Sequence, residues 1–221
     1  IFENTPMLSL DRGQPAVIRT PDGELRAPKV VVATNAWAAA IPELRRTILP
    51  VTSTVVATAP IPERLEQIGW TGGEAVTDSQ LMVDYYRTTR DGRIAFGKGT
   101  GMISFASRID ESYDHNPQLN DDTEQDLRRT YPQLHDVPVT HSWSGPIDRT
   151  YDSLPVFGHL NGAPHIVYGI GWSGNGVGTS RLGGRILASL ALGLDDEWSR
   201  CGLVGRQSQR FPLEPLRYIG G

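Results

Sequence analysis

The sequence predicts an α/β (α+β) chain in which a parallel sheet and a second, largely antiparallel sheet each pack against helices. Three observations carry this prediction. Lys29-Val30-Val31-Val32-Ala33-Thr34 is an unalternating β-branched run of the kind seen in parallel strands buried on both faces. Two strand-like segments, Leu81–Arg87 and Arg93–Gly97, flank Asp91-Gly92, a strong hairpin signal. His165-Ile166-Val167-Tyr168 runs straight into a glycine-rich loop and then into apolar residues four apart, which makes a strand, loop and helix unit. With 24 Gly and 16 Pro in 221 residues, tight connections are expected throughout.

Taken in order, Ala16-Val17-Ile18-Arg19-Thr20 and Glu24-Leu25-Arg26 read as a β-hairpin closed by Pro21-Asp22-Gly23. Asn35-Ala36-Trp37-Ala38-Ala39-Ala40 reads as a turn into a short helix that Pro42 cuts off. Pro50–Ala59 is a strand in a different environment, and residues 74–98 supply the antiparallel sheet. Asp121–Tyr131 has acids first, bases last and Pro132 beyond, the pattern of a helix aligned with its dipole and presenting a solvated charged face. Val139–Trp143 is a strand, Ser144–Leu154 is expected to be irregular, and Pro155–Gly158 is a short strand. Leu182, Ile186, Leu190 and Leu194 mark one apolar helix face, which Gly193 ends. The tail from Arg206, with its prolines, is expected to be irregular.

Composition narrows the function classes. A formal net charge of −4, from 21 basic and 25 acidic side chains without a basic cluster, argues against nucleic acid as a partner. The apolar stretches fall far short of the roughly 20 residues a membrane helix needs, so no membrane partner is expected. Cys201 stands alone, which excludes an intrachain disulfide and suits a reducing cytoplasm. None of the five histidines has the spacing of a familiar zinc site, so no metal is expected. The start, Ile1-Phe2-Glu3-Asn4, has no initiator Met and no targeting pattern and reads as the middle of something longer.

Gly169-Ile170-Gly171-Trp172-Ser173-Gly174 satisfies G-x-G-x-x-G between a strand and a helix. A dinucleotide fold needs a second parallel strand after that helix, ending in an acid about 20 residues on. Asp195 and Asp196 lie near that distance, but no β-branched strand accompanies them. A nucleophile elbow at Ser173 would need glycine where Asn175 stands. What remains is physical: a glycine turn exposes backbone N–H groups at a helix N-terminus, where partial positive charge gathers. Such a site suits an anion that need not be phosphate, such as the N1 and O2 edge of a reduced flavin; the alternative is a glycine-rich turn needed only for close packing.

The segment Tyr168–Val177, the upstream Trp143-Ser144-Gly145 with Asp152–Gly158, and Val31-Val32-Ala33-Thr34-Asn35-Ala36-Trp37 together resemble the FAD-dependent oxidoreductases of the D-amino-acid oxidase superfamily. The branch is that of glycine and sarcosine oxidases and γ-glutamylputrescine-oxidase-like enzymes. The resemblance runs in order from about Val17 to Leu192, and it implies the carboxy-terminal part of such an enzyme. It implies a partial FAD-binding domain at residues 1–46 and 141–205, a largely antiparallel substrate-binding domain at 47–140 inserted between them, and a tail at 206–221. Family members hold the ADP half of FAD with a first strand, glycine turn and helix that do not occur here, so a further segment or another chain is expected to cover the sheet.

The resemblance further implies FAD as cofactor, contacted by Thr34, Asn35, Ala36, Trp37, Gly145, Gly171, Trp172, Ser173, Gly174, Asn175, Gly176 and Val177. It implies oxidation of a small-molecule amine or amino acid by hydride transfer, in which no acid–base residue need be indispensable. Relatives that bind a substrate carboxylate keep Arg where Ile147 stands, or Lys where Gly178 stands. Arg149 lies two residues from Ile147. Tyr85 and Tyr86 point to opposite sides of one strand, so one can line a substrate pocket while the other packs, or both can pack. The lysine that assists the reaction with oxygen in relatives is replaced by Ala95, with Lys98 close in sequence. The alternative reading is a non-catalytic small-ligand- or protein-binding domain without flavin.

Overall fold

A computed structural model describes residues 1–80, 83–99, 102–103 and 105–219 of the chain. In chain order its strands are β1 (Ser9–Asp11), β2 (Ala16–Thr20), β3 (Gly23–Ala27), β4 (Val30–Val32), β5 (Leu49–Thr58), β6 (Ala75–Thr77), β7 (Asp84–Thr88), β8 (Ile94–Gly99), β9 (Val139–Arg149), β10 (Val156–Leu160) and β11 (Ala163–Ile170). The α-helices are α1 (Pro62–Gln67), α2 (Pro117–Thr130), α3 (Gly176–Leu192) and α4 (Leu216–Ile219). A 3₁₀ turn spans Asn35–Ala40. The chain divides into two compact units, Ile1–Leu49 with Asp148–Leu213, and Pro50–Ile147 with the segment from Glu214.

The first unit contains the predicted hairpin: β2 and β3 pair antiparallel, with Thr20 opposite Gly23 across the turn. A second sheet has the order β10-β11-β4, in which β11 and β4 run parallel, with Ile166 beside Val30 and Tyr168 beside Val32. Strand alternation divides its residues between two cores. Val30, Val32, Val156, Ile166 and Ile170 pack with Ala38, Ile41 and Ile48 on one face. Phe157 and Val167 lie on the other face, under Ile186 and Leu187 of α3. Burying two such aliphatic side chains is worth about 1.5–3 kcal/mol each.

Two expectations for this unit need correction. Val31 is 46% exposed, so the valine run is buried on one face only. α3 packs on Phe157 and Val167 and leaves Val31 partly open. The packed stripe of α3 is also narrower than the four-residue spacing implied. Ile186 and Leu187 are buried with Leu190 beside them, whereas Leu182 is 52% exposed and Leu194 lies past the left-handed cap at Gly193.

The second unit is a five-stranded sheet of order β6-β7-β8-β5-β9. β7, β8 and β5 pair antiparallel, with the predicted turn around Asp91-Gly92 between β7 and β8. Val56, Ile94 and Phe96 form one face, and α2 covers it with Leu127. Leu81 and Met82, part of the expected strand, lie outside the described residues. α2 begins at Pro117, with Asn116 capping it, so Asp121 and Asp122 fall in its second turn rather than its first. Nor is its charged face wholly solvated, because Asp126 is buried. Residues 144–149, expected to be irregular, continue β9, and the Thr54 and Ser144 hydroxyls meet at 3.0 Å. In the tail, the short α4 departs from the irregular course expected, with Arg217 on Glu214.

No helix among the described residues is long and apolar enough to cross a membrane. Among the same residues, no group of three or more His, Cys, Asp or Glu could hold a metal ion.

Candidate functional site

In the first unit the parallel strands β4 and β11 end side by side, and each passes at its carboxyl end into a turn and a helical segment. Crevices at the carboxyl ends of neighbouring parallel strands are where open α/β sheets bind ligands. Thr34, Asn35, Ala36 and Trp37 form the turn after β4, and Gly171 to Val177 form the turn after β11, so the fold brings these two predicted groups together. Asn35 has φ of 49°, and Trp37 is 54% exposed while Ala36 is buried. The Thr34 hydroxyl oxygen is buried without a hydrogen-bond partner among the described residues.

The turn after β11 needs its glycines. Gly171 has φ of 84° and Gly174 of 88°, in the left-handed region where a side chain is strained. A Cβ on Gly171 would also collide with Cγ2 of Thr150. Asn175 precedes α3 without a side-chain cap, and no acid occupies the first turn. The first amides of α3 therefore remain available, and Val177 at their level is 99% exposed. Trp172 contributes only backbone here. Its ring turns back onto Phe157, with centroids 5.8 Å apart, and lies against Gly183.

What fixes this turn is Asp148, a residue the sequence did not single out. Its side chain is fully buried. Oδ2 accepts the Gly171 N–H at 2.6 Å, Oδ1 accepts the Trp172 N–H at 2.9 Å, and its carbonyl accepts the Ser173 N–H at 3.3 Å. Ser173 completes the clasp by accepting the Thr150 N–H on Oγ at 3.1 Å. Burial pushes the Asp148 carboxyl up to about 6, against the downward pull of the loop N–H groups. The readable signal was an acid closing the otherwise uncharged run of residues 142–147. The turn thus spends three amides on Asp148 and leaves the helix amides free to meet an electron-rich edge.

In the second unit, Tyr86 packs in the core under α2, stacked on Phe96 at 4.9 Å and edge-on to Trp70 and Tyr131. Tyr85 lies on the opposite face, its ring across Gly97 and its hydroxyl 2.7 Å from the Ser53 hydroxyl. Ala95 pairs with Ala57 on this same face. The Ser144 hydroxyl meets Thr54 on the α2 side, so alternation along β9 sets Gly145 and Ile147 on the side of Tyr85. Lys98 points the other way, into Asp84 and Asp126 beneath α2, and is spent on those buried carboxylates. In the first unit, Arg149 has no hydrogen-bond or ion-pair partner among the described residues, and it is half-buried.

Comparison with known proteins gives a consistent result. A family model described as DAO, FAD dependent oxidoreductase, matches residues 1–190. A probable oxidoreductase OrdL of Haemophilus influenzae is 32% identical over 205 residues, covering 90% of this chain and 44% of that protein. The gamma-glutamylputrescine oxidoreductase of Escherichia coli is 32% identical over 199 residues, covering 87% and 43%. Among solved structures, glycine oxidase from Geobacillus kaustophilus superposes with a TM-score of 0.73 at 21% identity, covering 93% of this chain and 53% of its own. Amadoriase I of Aspergillus fumigatus superposes with a TM-score of 0.70 at 14% identity, covering 90% and 48%. The chain spans less than half the length of these curated relatives.

Proposed function

The chain belongs to the DAO family of FAD-dependent oxidoreductases, and on that premise we propose that the protein carrying it oxidises the C–N bond of a small-molecule amine by hydride transfer to FAD. The observation that carries this reading is the pair of turns at the carboxyl ends of β4 and β11, one with a buried Thr34 hydroxyl that has no partner among the described residues and the other opening a helix without a side-chain cap. These residues fit the electron-rich end of a flavin, with Thr34 to Trp37 and Gly171 to Val177 as its contacts. FAD, when bound, supplies the hydride acceptor. On the flavin side, the chain's own Asp148 holds the glycine turn at the carboxyl end of β11; within the second unit, Tyr85, Gly145 and Ile147 share one side of the sheet.

The preferred donor is an amine without an adjacent carboxylate. A carboxylate set against Ile147 would be desolvated without a partner, at a cost of several kcal/mol, and Gly178 supplies no cation either. The name of the Escherichia coli relative points toward such donors. The edge of β4 that pairs with no strand among the described residues and the exposed Val31 suit cover by a further segment or another chain, which would also hold the ADP half of FAD. Steady-state kinetics on the protein that carries this chain test the substrate claim. Simple or N-substituted amines should give the higher kcat/KM, and a higher value for glycine, sarcosine or D-alanine would overturn it. In that second outcome, loss of amino-acid turnover in Arg149→Ala would identify Arg149 as the carboxylate anchor.

A further inference from the structure

The first unit holds a cavity of about 450 Å³ on the opposite edge of the sheet from β4. Its floor is Val156 and Leu160 of β10 with Tyr168 of β11, and one wall is the turn 42–47. The other wall is the segment 206–210, a strap held at both ends by backbone bonds. Gly205 donates to the Phe157 carbonyl at 2.8 Å, and Phe211 donates to the Arg46 carbonyl at 2.8 Å. None of the cavity's residues belongs to the turns at 34–37 or 171–177.

The charges around this cavity do not cancel. Glu43 on the wall is taken by Arg12, which holds both of its oxygens. Arg206 on the strap is taken by Asp152 through two bonds of 2.7 and 3.0 Å, and by the carbonyls of Leu154 and Pro155. Two guanidinium groups are left. Arg46 is half-buried and donates from Nε to the Phe211 carbonyl at 3.0 Å, and its two terminal nitrogens have no partner among the described residues. Arg210 has no ion-pair or hydrogen-bond partner among them. The Tyr168 hydroxyl reaches over Gly158, where a Cβ would lie 3.0 Å away, and adds a third donor without a partner among the described residues. Burial raises the Tyr168 pKa, which keeps it a neutral donor.

We propose that this cavity binds a small dianionic oxyanion, a phosphate monoester or a dicarboxylate, between Arg46 and Arg210. Two cations without local counter-charges are neutralised by one dianion and only half neutralised by a monocarboxylate, and a guanidinium fork matches both phosphate and carboxylate geometry. The cavity is of a size that takes small ligands. Occupancy would tie the strap 206–210 to the turn 42–47 and stabilise the first unit against unfolding.

The protein that carries this chain is titrated calorimetrically with inorganic phosphate, pyrophosphate and succinate, with acetate and chloride at matched ionic strength as controls. The dianions should bind and the controls should not. Arg210→Ala, which removes no bond among the described residues, should raise the dissociation constant at least tenfold, and Arg46→Gln should do the same. Binding by phosphate and pyrophosphate alone would make the ligand a phosphate compound, and binding by succinate as well would make it any dianion of this kind. Equal responses to dianions and controls, no binding at all, or unchanged affinity in Arg210→Ala would each overturn the proposal.

Discussion

Replacing Asp148 with asparagine separates the two opposing effects of a buried carboxylate. In the native protein both oxygens accept loop amides, from Gly171 at 2.6 Å and Trp172 at 2.9 Å. Asparagine keeps one acceptor and turns an NH₂ group toward the other amide, which strands a buried donor at a cost of about 1–3 kcal/mol. Against this, Asp148 ionises only at about 6 rather than at its ordinary 3.8, because burial disfavours the charge. At about 1.4 kcal/mol for each pH unit, that gap costs the native fold about 3 kcal/mol once the carboxyl is fully ionised. The sign follows from the raised value. The folded state holds its proton longer than the unfolded state, so this contribution to stability is complete below pH 3.8 and is lost as pH rises through about 6. The asparagine side chain does not titrate, so the advantage of the native protein over Asp148→Asn should shrink by about 3 kcal/mol between about pH 3.5 and about pH 7.5. Urea unfolding of both proteins across that range, read at the transition of the first unit, measures the difference while other titrating groups cancel. A difference that stays constant with pH would show that Asp148 is neither as buried nor as costly as its geometry requires.

Three further outcomes follow from single contacts. Lys98→Met strips the cation shared by the buried Asp84 and Asp126, and urea unfolding at neutral pH should show a loss of about 3–5 kcal/mol; a loss under about 1 kcal/mol would mean that water reaches those carboxylates. Gly183→Ala should destabilise by about 1–3 kcal/mol, despite alanine's better helix propensity, because its Cβ would collide with the Trp172 ring. A gain near 1 kcal/mol with an unchanged near-ultraviolet spectrum would show that the ring is free to move aside. Gly174→Val places a β-branched residue at φ of 88°, and the protein carrying this chain should fold but purify with less flavin; normal flavin content would put the glycine turn away from the cofactor.

What could be read in advance were features written in contiguous residues. The hairpin around Pro21-Asp22-Gly23, the hairpin at Asp91-Gly92, the parallel strand before Thr34 and the passage from β11 into α3 each carry their signal within about ten neighbours. The cap at Gly193 was legible for the same reason. The extent of β9 was not, because Gly145 and Pro146 are poor strand residues by propensity. Its course is set by tertiary contacts, Ser144 on Thr54 and Asp148 on the loop after β11.

The misread charges share one cause. Asp126 belongs to a run that by pattern is a solvated helix face, and Asp148 lies in a stretch without regular periodicity, yet both are buried. A carboxylate is stable inside a protein only where donors converge on it, and here decisive donors come from far along the chain: Lys98 for Asp126, beside the local Arg129, and the amides of Gly171 and Trp172 for Asp148. Periodicity describes one element at a time, whereas the Lys98 and loop-amide contacts exist only between elements. The same reasoning assigns different work to the two buried acids. Asp126 receives cations, from Lys98 and Arg129, and the cluster closes on itself as a clasp between α2 and β8. Asp148 receives only neutral amides, so its charge is not cancelled, and the dipoles it orients belong to the turn that opens α3. A carboxylate kept at that cost to stability is better explained by the shape it imposes on the turn than by any contribution to the fold's stability.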